Sequence, residues 1–477
     1  MLALSLLLAG CGPKEPVQTV ATVDRTATPQ PLAPRAFQFP DLVEGSLSNN
    51  IPVVVVENHE VPLVYVKVVY DVGSWQDPAD RPGLASVTLD MLNEGAGTLS
   101  AEEISAESRR LASSLGTGSS LDGAAVSLKS LKANLAPSLA LMAEVVLRPT
   151  FPEDDWGIMQ QQRLQNLSAA RQDPSRIARR AWNRLMYGET YAGNLTSADS
   201  YSAITTDEMR SWYTANLHAG NATILVGGDT TLAEIQPLLE AQFGEWAAAP
   251  DAVPVPPTAD RLPEHSESTI YLIDKPGAPQ SVLRIGQFVG ERTDEQASAF
   301  QLANMVVGGQ FIARINMNLR EDKGWTYGAR SWVSYNHLPG LFAAGSSVVT
   351  PHTTDAIKEI LAELGGPTND APLTEAELEA GRGNLLGEWP LKFENPAYLL
   401  DRTVEVRRYD LPADWLKTYP DRVRAVTMTE AAAAWSSWID TSSLAILVVG
   451  DAAQIREGLE SLSLPIVVLD ADGNPIQ

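Results

Sequence analysis

Two stretches far apart in the chain read almost alike. Ala222–Asp229 is ATILVGGD and Leu444–Asp451 is LAILVVGD. Each is a short apolar run that breaks into glycine and aspartate, the pattern of a buried strand entering a turn. Each is expected to lead into a helix that closes its half of the chain, Leu232–Phe243 in the first case. The two runs lie 446 − 224 = 222 residues apart. Val66–Gly73 (VKVVYDVG) and Leu283–Gly290 (LRIGQFVG) recur at nearly the same offset, 283 − 66 = 217. A chain that restarts this way is a duplication, and its unit is about 210 residues, a usual domain size.

Within each unit, strands and helices come in clusters. In the first, Ile51–Val56, Val61–Asp71, Ala124–Leu131 and Thr223–Gly227 read as strands. Gly83–Asn93, Ala101–Leu111, Ala136–Leu147 and Glu153–Arg171 read as helices. Ser100 with Glu103 three residues on is a capping box for the second of these helices. In the second unit, Thr269–Ile273, Ser281–Val289, Tyr327–Val333, Leu341–Val349 and Ala445–Val449 read as strands. Asp294–Val307, Thr353–Leu364, Thr374–Glu388 and Tyr398–Val406 read as helices. The absence of strict strand–helix alternation favours an α+β fold over a doubly wound sheet.

The remaining segments are connectors. Residues 247–264 contain Pro250, Pro254, Pro256, Pro257 and Pro263, which break both helix and sheet, so they read as a linker between domains 37–246 and 265–477. Residues 11–36 are rich in proline and small polar residues and read as an extended tether. Residues 2–9 are an apolar run too short to span a bilayer, with no basic residue before it, and read as part of an export signal, residues 1–10. Leu8-Ala9-Gly10-Cys11 resembles the bacterial lipobox. That implies cleavage before Cys11, a lipid on its thiol and a place in the cell envelope. By the same analogy Gly12 implies the outer membrane, facing the periplasm. Cys11 is the only cysteine, which excludes intramolecular disulfides and cysteine-based zinc sites. Lys and Arg number 35 against 59 Asp and Glu, a net charge of −24, which argues against nucleic acid as a partner.

Both halves resemble peptidase family M16, the pitrilysin, insulinase and mitochondrial processing peptidase family, and its bacterial two-domain members in particular. The resemblance runs from about Phe37 to Leu469. It rests on Leu47–His59 (LSNNIPVVVVENH), Val72-Gly-Ser-Trp75 and Gly83-Leu-Ala85 in the first half. In the second it rests on Lys275–Gln280 (KPGAPQ), Gly308-Gly309 and Leu319–Tyr327 (LREDKGWTY). It implies two homologous domains of the kind shared with LuxS and the mitochondrial processing peptidase, each a mostly antiparallel sheet covered by helices. It also implies a zinc peptidase ancestry. In that family a helix after Gly-Leu-Ala carries His-x-x-Glu-His. The two histidines bind zinc from one helix face and the glutamate takes the proton of the metal-bound water.

This chain departs from that pattern at every position. Ser86 and Asp90 stand where the histidines would be, and Leu89 stands where the base would be. Leucine accepts no proton. The later helix that supplies the family's third ligand, Trp156–Arg171, has no carboxylate; Gln160, Gln161 and Gln162 stand in its place. The five histidines, His59, His218, His265, His337 and His352, are too far apart in sequence to form a helical pair. No zinc is therefore expected in this chain. No Gly-x-Ser-x-Gly nucleophile elbow replaces the lost site.

The other half of the family's machinery is retained. Arg320 and Tyr327 match the family's Arg–Tyr pair, in which the tyrosine hydroxyl faces the developing oxyanion and the arginine binds substrate carbonyls or a carboxylate. The local alternative is that Arg320 pairs with Glu321 or Asp322 while Tyr327 packs inside a strand. Gln280, Asn304 and Arg314 match family positions and are candidate chamber contacts; Arg314 also reads as a helix-surface residue. The resemblance thus implies a non-catalytic subunit, whose partner is a homologous chain with His-x-x-Glu-His and zinc, acting on peptides or unfolded segments. The alternative is an inert scaffold or binding lipoprotein of the envelope. The same duplicated fold serves as an assembly subunit among the core subunits of respiratory complex III.

Overall fold

The computed structural model describes residues 38–248 and 262–476. The signal, Cys11 with its tether and most of the Pro-rich linker lie outside the described residues. The first half runs β1 (Leu42–Ser46), β2 (Pro52–Glu57), β3 (Leu63–Tyr70), α1 (Leu84–Met91), the short β4 (Gly95–Ala96) and β5 (Leu99–Ser100), and α2 (Ala101–Arg110). It continues with β6 (Ser114–Ser119), β7 (Ala124–Leu131), α3 (Leu135–Leu147), α4 (Glu153–Ala170), α5 (Pro174–Tyr187), α6 (Ala198–Ala203), α7 (Thr206–Asn216), β8 (Ala222–Gly228) and α8 (Leu232–Phe243). The second half runs β9 (Thr269–Asp274), β10 (Gln280–Val289), α9 (Ala297–Asn304), α10 (Arg314–Asn316), β11 (Thr326–Ser334), β12 (Gly340–Val349), α11 (Thr353–Gly365) and α12 (Glu375–Lys392). It ends with α13 (Pro396–Arg408), α14 (Trp415–Ala425), α15 (Met428–Trp438), β13 (Ala445–Gly450), α16 (Ala452–Glu460) and β14 (Ile466–Leu469).

The strands form two six-stranded, mostly antiparallel sheets, ordered β1-β2-β8-β3-β7-β6 and β11-β12-β10-β13-β9-β14. The duplication extends to the register. Val66 lies opposite Val226 in the first sheet, and Leu283 lies opposite Val448 in the second. These are the residues related by the 217- and 222-residue offsets. The expected closing helices are α8 and α16, but the second half does not end there. Ile466–Leu469 adds a further strand, parallel to β9, at the sheet edge. The corresponding edge of the first sheet is filled by the antiparallel β1. The helix expected over Asp294–Val307 is also broken: α9 ends at Asn304 and widens into a π-type turn over Met305–Gly309. The capping box at Ser100 and Glu103 forms as read.

Both faces of each sheet are buried, because strand side chains alternate. In β13, Ile446 and Val448 enter the core of the second half, while Ala445, Leu447 and Val449 face the other way. That outer face is covered by a first-half helix: α5 lays Ile177, Ala178, Ala181 and Trp182 on it. Helical spacing puts these four on one stripe. Arg180 and Arg184, on the polar side of α5, reach Asp472 and Asn474 near the C-terminus at 3.1 and 3.3 Å. The exchange is reciprocal. The outer face of the first sheet, with Val56, Val69 and Leu225, is covered by Leu399, Leu400 and Val404 of α13. Gly227 allows that approach, since a Cβ there would sit 3.2 Å from Pro396. Charged contacts surround the seam: Lys67 pairs with Asp401, and Arg408 with Asp71 at 3.1 Å. Residues from Phe39 onward therefore form one unit.

Leu400 is fully buried where α13 meets the first sheet. Leu400→Ala should cost about 2–5 kcal/mol of unfolding free energy. Because it loosens a contact between the halves, denaturant unfolding should shift to a lower midpoint as a single transition. A midpoint within error of wild type would mean that α13 does not hold the halves together.

Candidate functional site

The helix that aligns with the family's metal helix is α1. It begins at Gly83, whose φ of 100° suits glycine, and is fastened by one carboxylate. Asp77 accepts the backbone N–H of Gly83 at 2.8 Å and of Ala85 at 2.7 Å. From that start the three positions of interest diverge. Ser86 lines a small pocket with Asp77, Glu189, Tyr191 and Tyr201. Leu89 is fully buried in the first-half core. Asp90 forms an ion pair with Arg163 of α4, both side chains being partly exposed.

Beyond that ion pair lies an open pocket of about 550 Å³ between α1, α4 and β6. Asn93 donates to Thr117 Oγ1 at 3.0 Å along its wall. Burial and nearby Asp155 raise the pKa of Glu94 at its rim. Gln162 lines the pocket, whereas Gln160 turns away and donates to the Tyr201 carbonyl at 2.8 Å. Zinc does not fit this donor set. The only carboxylate at the aligned positions is already neutralised by a guanidinium, which would repel a dication. Leu89 offers no donor. Among the described residues no three His, Cys, Asp or Glu side chains come together to hold a metal. Arg163 escaped the sequence reading, although it is the only charged side chain in residues 156–170.

In the second half, Arg320 and Tyr327 flank a tight loop. Arg320 lies within a π-type turn over Met317–Asp322, and Gly324, at φ 68°, donates to the Arg320 carbonyl at 3.2 Å. The Arg320 guanidinium stacks 4.6 Å from the ring centroid of Phe311 and approaches Glu321 at 3.3 Å. This is the local pairing offered as its alternative reading. Tyr327 behaves otherwise. It sits within an irregularity in β11, between Thr326 and Ala329, and is 91% exposed. It packs in no core, and its hydroxyl has no partner among the described residues. Phe311 and Ile312 nearby in sequence are 61% and 60% exposed. No hydrogen bond joins Arg320 to Tyr327.

The three candidate chamber contacts have different fates. Arg314 clamps the start of α12: it forms two hydrogen bonds to Glu377 at 2.7 Å and donates to the carbonyls of Ala371 and Pro372. This pairing pulls the Glu377 carboxyl down to about 2. Asn304 is buried and bonded to Ser331, whose hydroxyl donates to it at 2.5 Å. Both side chains are thus held by bonds within the fold, and Asn304 also borders a pocket of the second half. Gln280 begins β10 opposite Val349, half-exposed.

Comparison with known proteins agrees with this geometry. Residues 52–199 match the family model described as insulinase (peptidase family M16), and residues 203–385 match the one described as peptidase M16 inactive domain. An uncharacterized zinc protease of Streptomyces coelicolor is 23% identical over 62% of this chain and 67% of its own length. A Helicobacter pylori protein named a non-peptidase homolog, YmxG, is 20% identical over 80% of this chain and 87% of its own. Among solved structures, a peptidase M16 inactive domain from Pseudomonas fluorescens superposes with a TM-score of 0.78 at 26% identity, covering 86% of this chain and 98% of that one.

Asp77 gives α1 a measurable signature. Burial pushes its carboxyl up to about 7, although the N–H groups of Ala85 and Gly83 favour the charged form. The folded protein thus keeps a proton that the unfolded chain releases near pH ~4. The stability from this group is complete below that pH and is lost as pH rises through about 7. Urea unfolding at pH 5 and pH 8 should show this loss in wild type and not in Asp77→Asn. Equal pH slopes for the two proteins would mean that Asp77 is ionised throughout.

Proposed function

The chain belongs to peptidase family M16, and we propose that it is the non-catalytic subunit of a two-chain M16 zinc peptidase. On this reading it supplies Arg320 and Tyr327 to a homologous partner that carries His-x-x-Glu-His, the zinc and the base. The observation that carries the reading is Tyr327, almost wholly in solvent with no hydrogen bond among the described residues. A phenol costs little to expose at a surface, but folding gives no reason to keep it there. A hydroxyl held out on a strand end is suited to donate to an oxygen of something else.

The roles of the chain's own groups follow from their positions. Tyr327 donates a hydrogen bond from its hydroxyl to the substrate carbonyl oxygen as negative charge gathers there. Arg320, steadied by the face of Phe311, offers its remaining N–H groups to a neighbouring substrate carbonyl or carboxylate. The exposed Phe311 and Ile312 add apolar surface for the side chains of a peptide or unfolded segment. The apolar run before Cys11, and the lipobox-like Leu8-Ala9-Gly10-Cys11, support a lipid-anchored protein on the periplasmic side of the outer membrane. The second reading, an inert scaffold of the envelope, draws on the local contacts that Arg320 makes with Glu321 and Phe311.

The first experiment is a gentle pull-down of the tagged full chain from native membranes. A stoichiometric homologous chain with His-x-x-Glu-His is the expected companion. In the reconstituted pair, Tyr327→Phe should lower kcat by about 10²–10³-fold, the usual effect of removing an oxyanion donor. Zinc content should not change. Unaltered hydrolysis would remove the role given to Tyr327. Recovery of the chain alone, or with unrelated envelope proteins, would favour the scaffold.

A further inference from the structure

The second half contains its own version of the Asp90 cleft. Thr117 lies opposite Val126 in the first sheet, and Ser331 lies opposite Ala344 in the second. Each holds the same place on its edge strand, and each is bonded to an asparagine at the C-terminal end of the neighbouring helix, Asn93 just past α1 or Asn304 at the end of α9. Around Asn304 and Ser331 opens a pocket of about 360 Å³, between α9, β11 and α12 to α14. That volume lies within the range of small-molecule sites.

Its lining is unlike that of the Asp90 cleft. Trp389 stacks on Tyr419 at 4.2 Å between centroids, and Trp415 lies 3.8 Å beneath the guanidinium of Arg422. Three guanidinium groups line it, from Arg292, Arg402 and Arg422, against one lining carboxylate, Glu405. Glu405 is shared, bonding Arg292 and Arg402 at 2.6 Å each. Lys392 also lines the pocket and is paired with Glu388. Arg422 forms no ion pair among the described residues; it donates only to Thr418 Oγ1 and the Trp415 carbonyl. Burial lowers its pKa, against a weaker opposing pull from Tyr419 and the Asp414 carboxylate, with which it forms no ion pair. Three buried donors around the same space, Trp389 Nε1, Arg402 Nε and Arg422 Nε, have no acceptor among the described residues. Buried donors are normally paired, and an excess of positive charge in a chain of net charge −24 is a local feature that the overall composition does not supply.

We propose that this pocket binds a carboxylate carried on an aromatic or apolar body, with Arg422 and Arg402 meeting the carboxylate and Trp389, Tyr419 and Trp415 receiving the body. Such a group is offered by a free aromatic acid or by the C-terminal residue of a peptide. Neither Arg320 nor Tyr327 lines the pocket, so its occupancy stands apart from the two-chain reading and can fail separately.

The test is calorimetric titration of the full chain with N-acetyl-L-phenylalanine and with its uncharged C-terminal amide. The acid should bind at least about tenfold more tightly, the scale of one charge-assisted hydrogen bond. Arg422→Gln should remove that preference. Arg422→Lys, which keeps the charge and is the safer variant for folding, should retain part of it. A hexapeptide ending in phenylalanine, free or amidated, then separates the sources. Tight binding of the free peptide assigns the site to peptide C-termini, and binding of the single residue alone assigns it to small acids. Equal affinity for acid and amide, no binding of either acid or free peptide, or a preference unchanged in folded Arg422→Gln would overturn the proposal.

Discussion

Each sheet of this protein has two apolar faces, and one half alone can cover only one of them. The other face is covered by a helix lent across the duplication: α5 lies on the second sheet and α13 on the first. Exposing either face would return a row of Val, Leu and Ile side chains to water, each worth about 1.5–3 kcal/mol when buried. The halves are therefore obliged to stay together. Helices α1 and α4 pack into the core on the other face of the first sheet, and α9 and α12 into that of the second.

This explains how the fold persists with its metal residues replaced. Nothing in the exchange of α5 and α13 depends on a metal, so the residues aligned with the metal site are free to take other packing roles. Leu89 has become part of the first-half core. Asp90 has found a fixed cation in Arg163, so the cleft is held by an ion pair between α1 and α4. A partly exposed pair of this kind contributes modestly to stability. Its larger effect is to place a positive charge where a metal ion would need negative or neutral donors.

The duplication and the loss of the zinc ligands were legible in the sequence because both depend on residue identity at fixed spacing. ATILVGGD and LAILVVGD can only be buried strands, and a leucine at the base position cannot accept a proton in any fold. Elements whose character comes from their surroundings were harder to see. Strand β6, SLGTGS, has little apolar character and becomes a strand by pairing with β7. Helix α5 carries four arginines, and its narrow apolar stripe has meaning only once the second sheet is there to receive it. The same limit applies to single polar residues. Arg314 fits a substrate chamber as well as a helix clamp until Glu377 and the carbonyls of Ala371 and Pro372 appear around it.

The two clefts related by the duplication have diverged in opposite directions on one backbone plan. In the first, Asp90 answers the one cation of the wall, Arg163, Glu94 adds a second carboxyl group, and the other polar groups are amides and a hydroxyl. In the second, aromatic rings replace the amides, and Arg422 is left with only neutral acceptors. A half-buried cation with no ion-paired carboxylate costs stability that apolar packing in its place would not. Its presence is accounted for if a partner of opposite charge enters from outside. The fold thus supplies the same recess twice, and the side chains alone decide that the first has its one cation paired within the wall while the second is cationic and lined by aromatic rings.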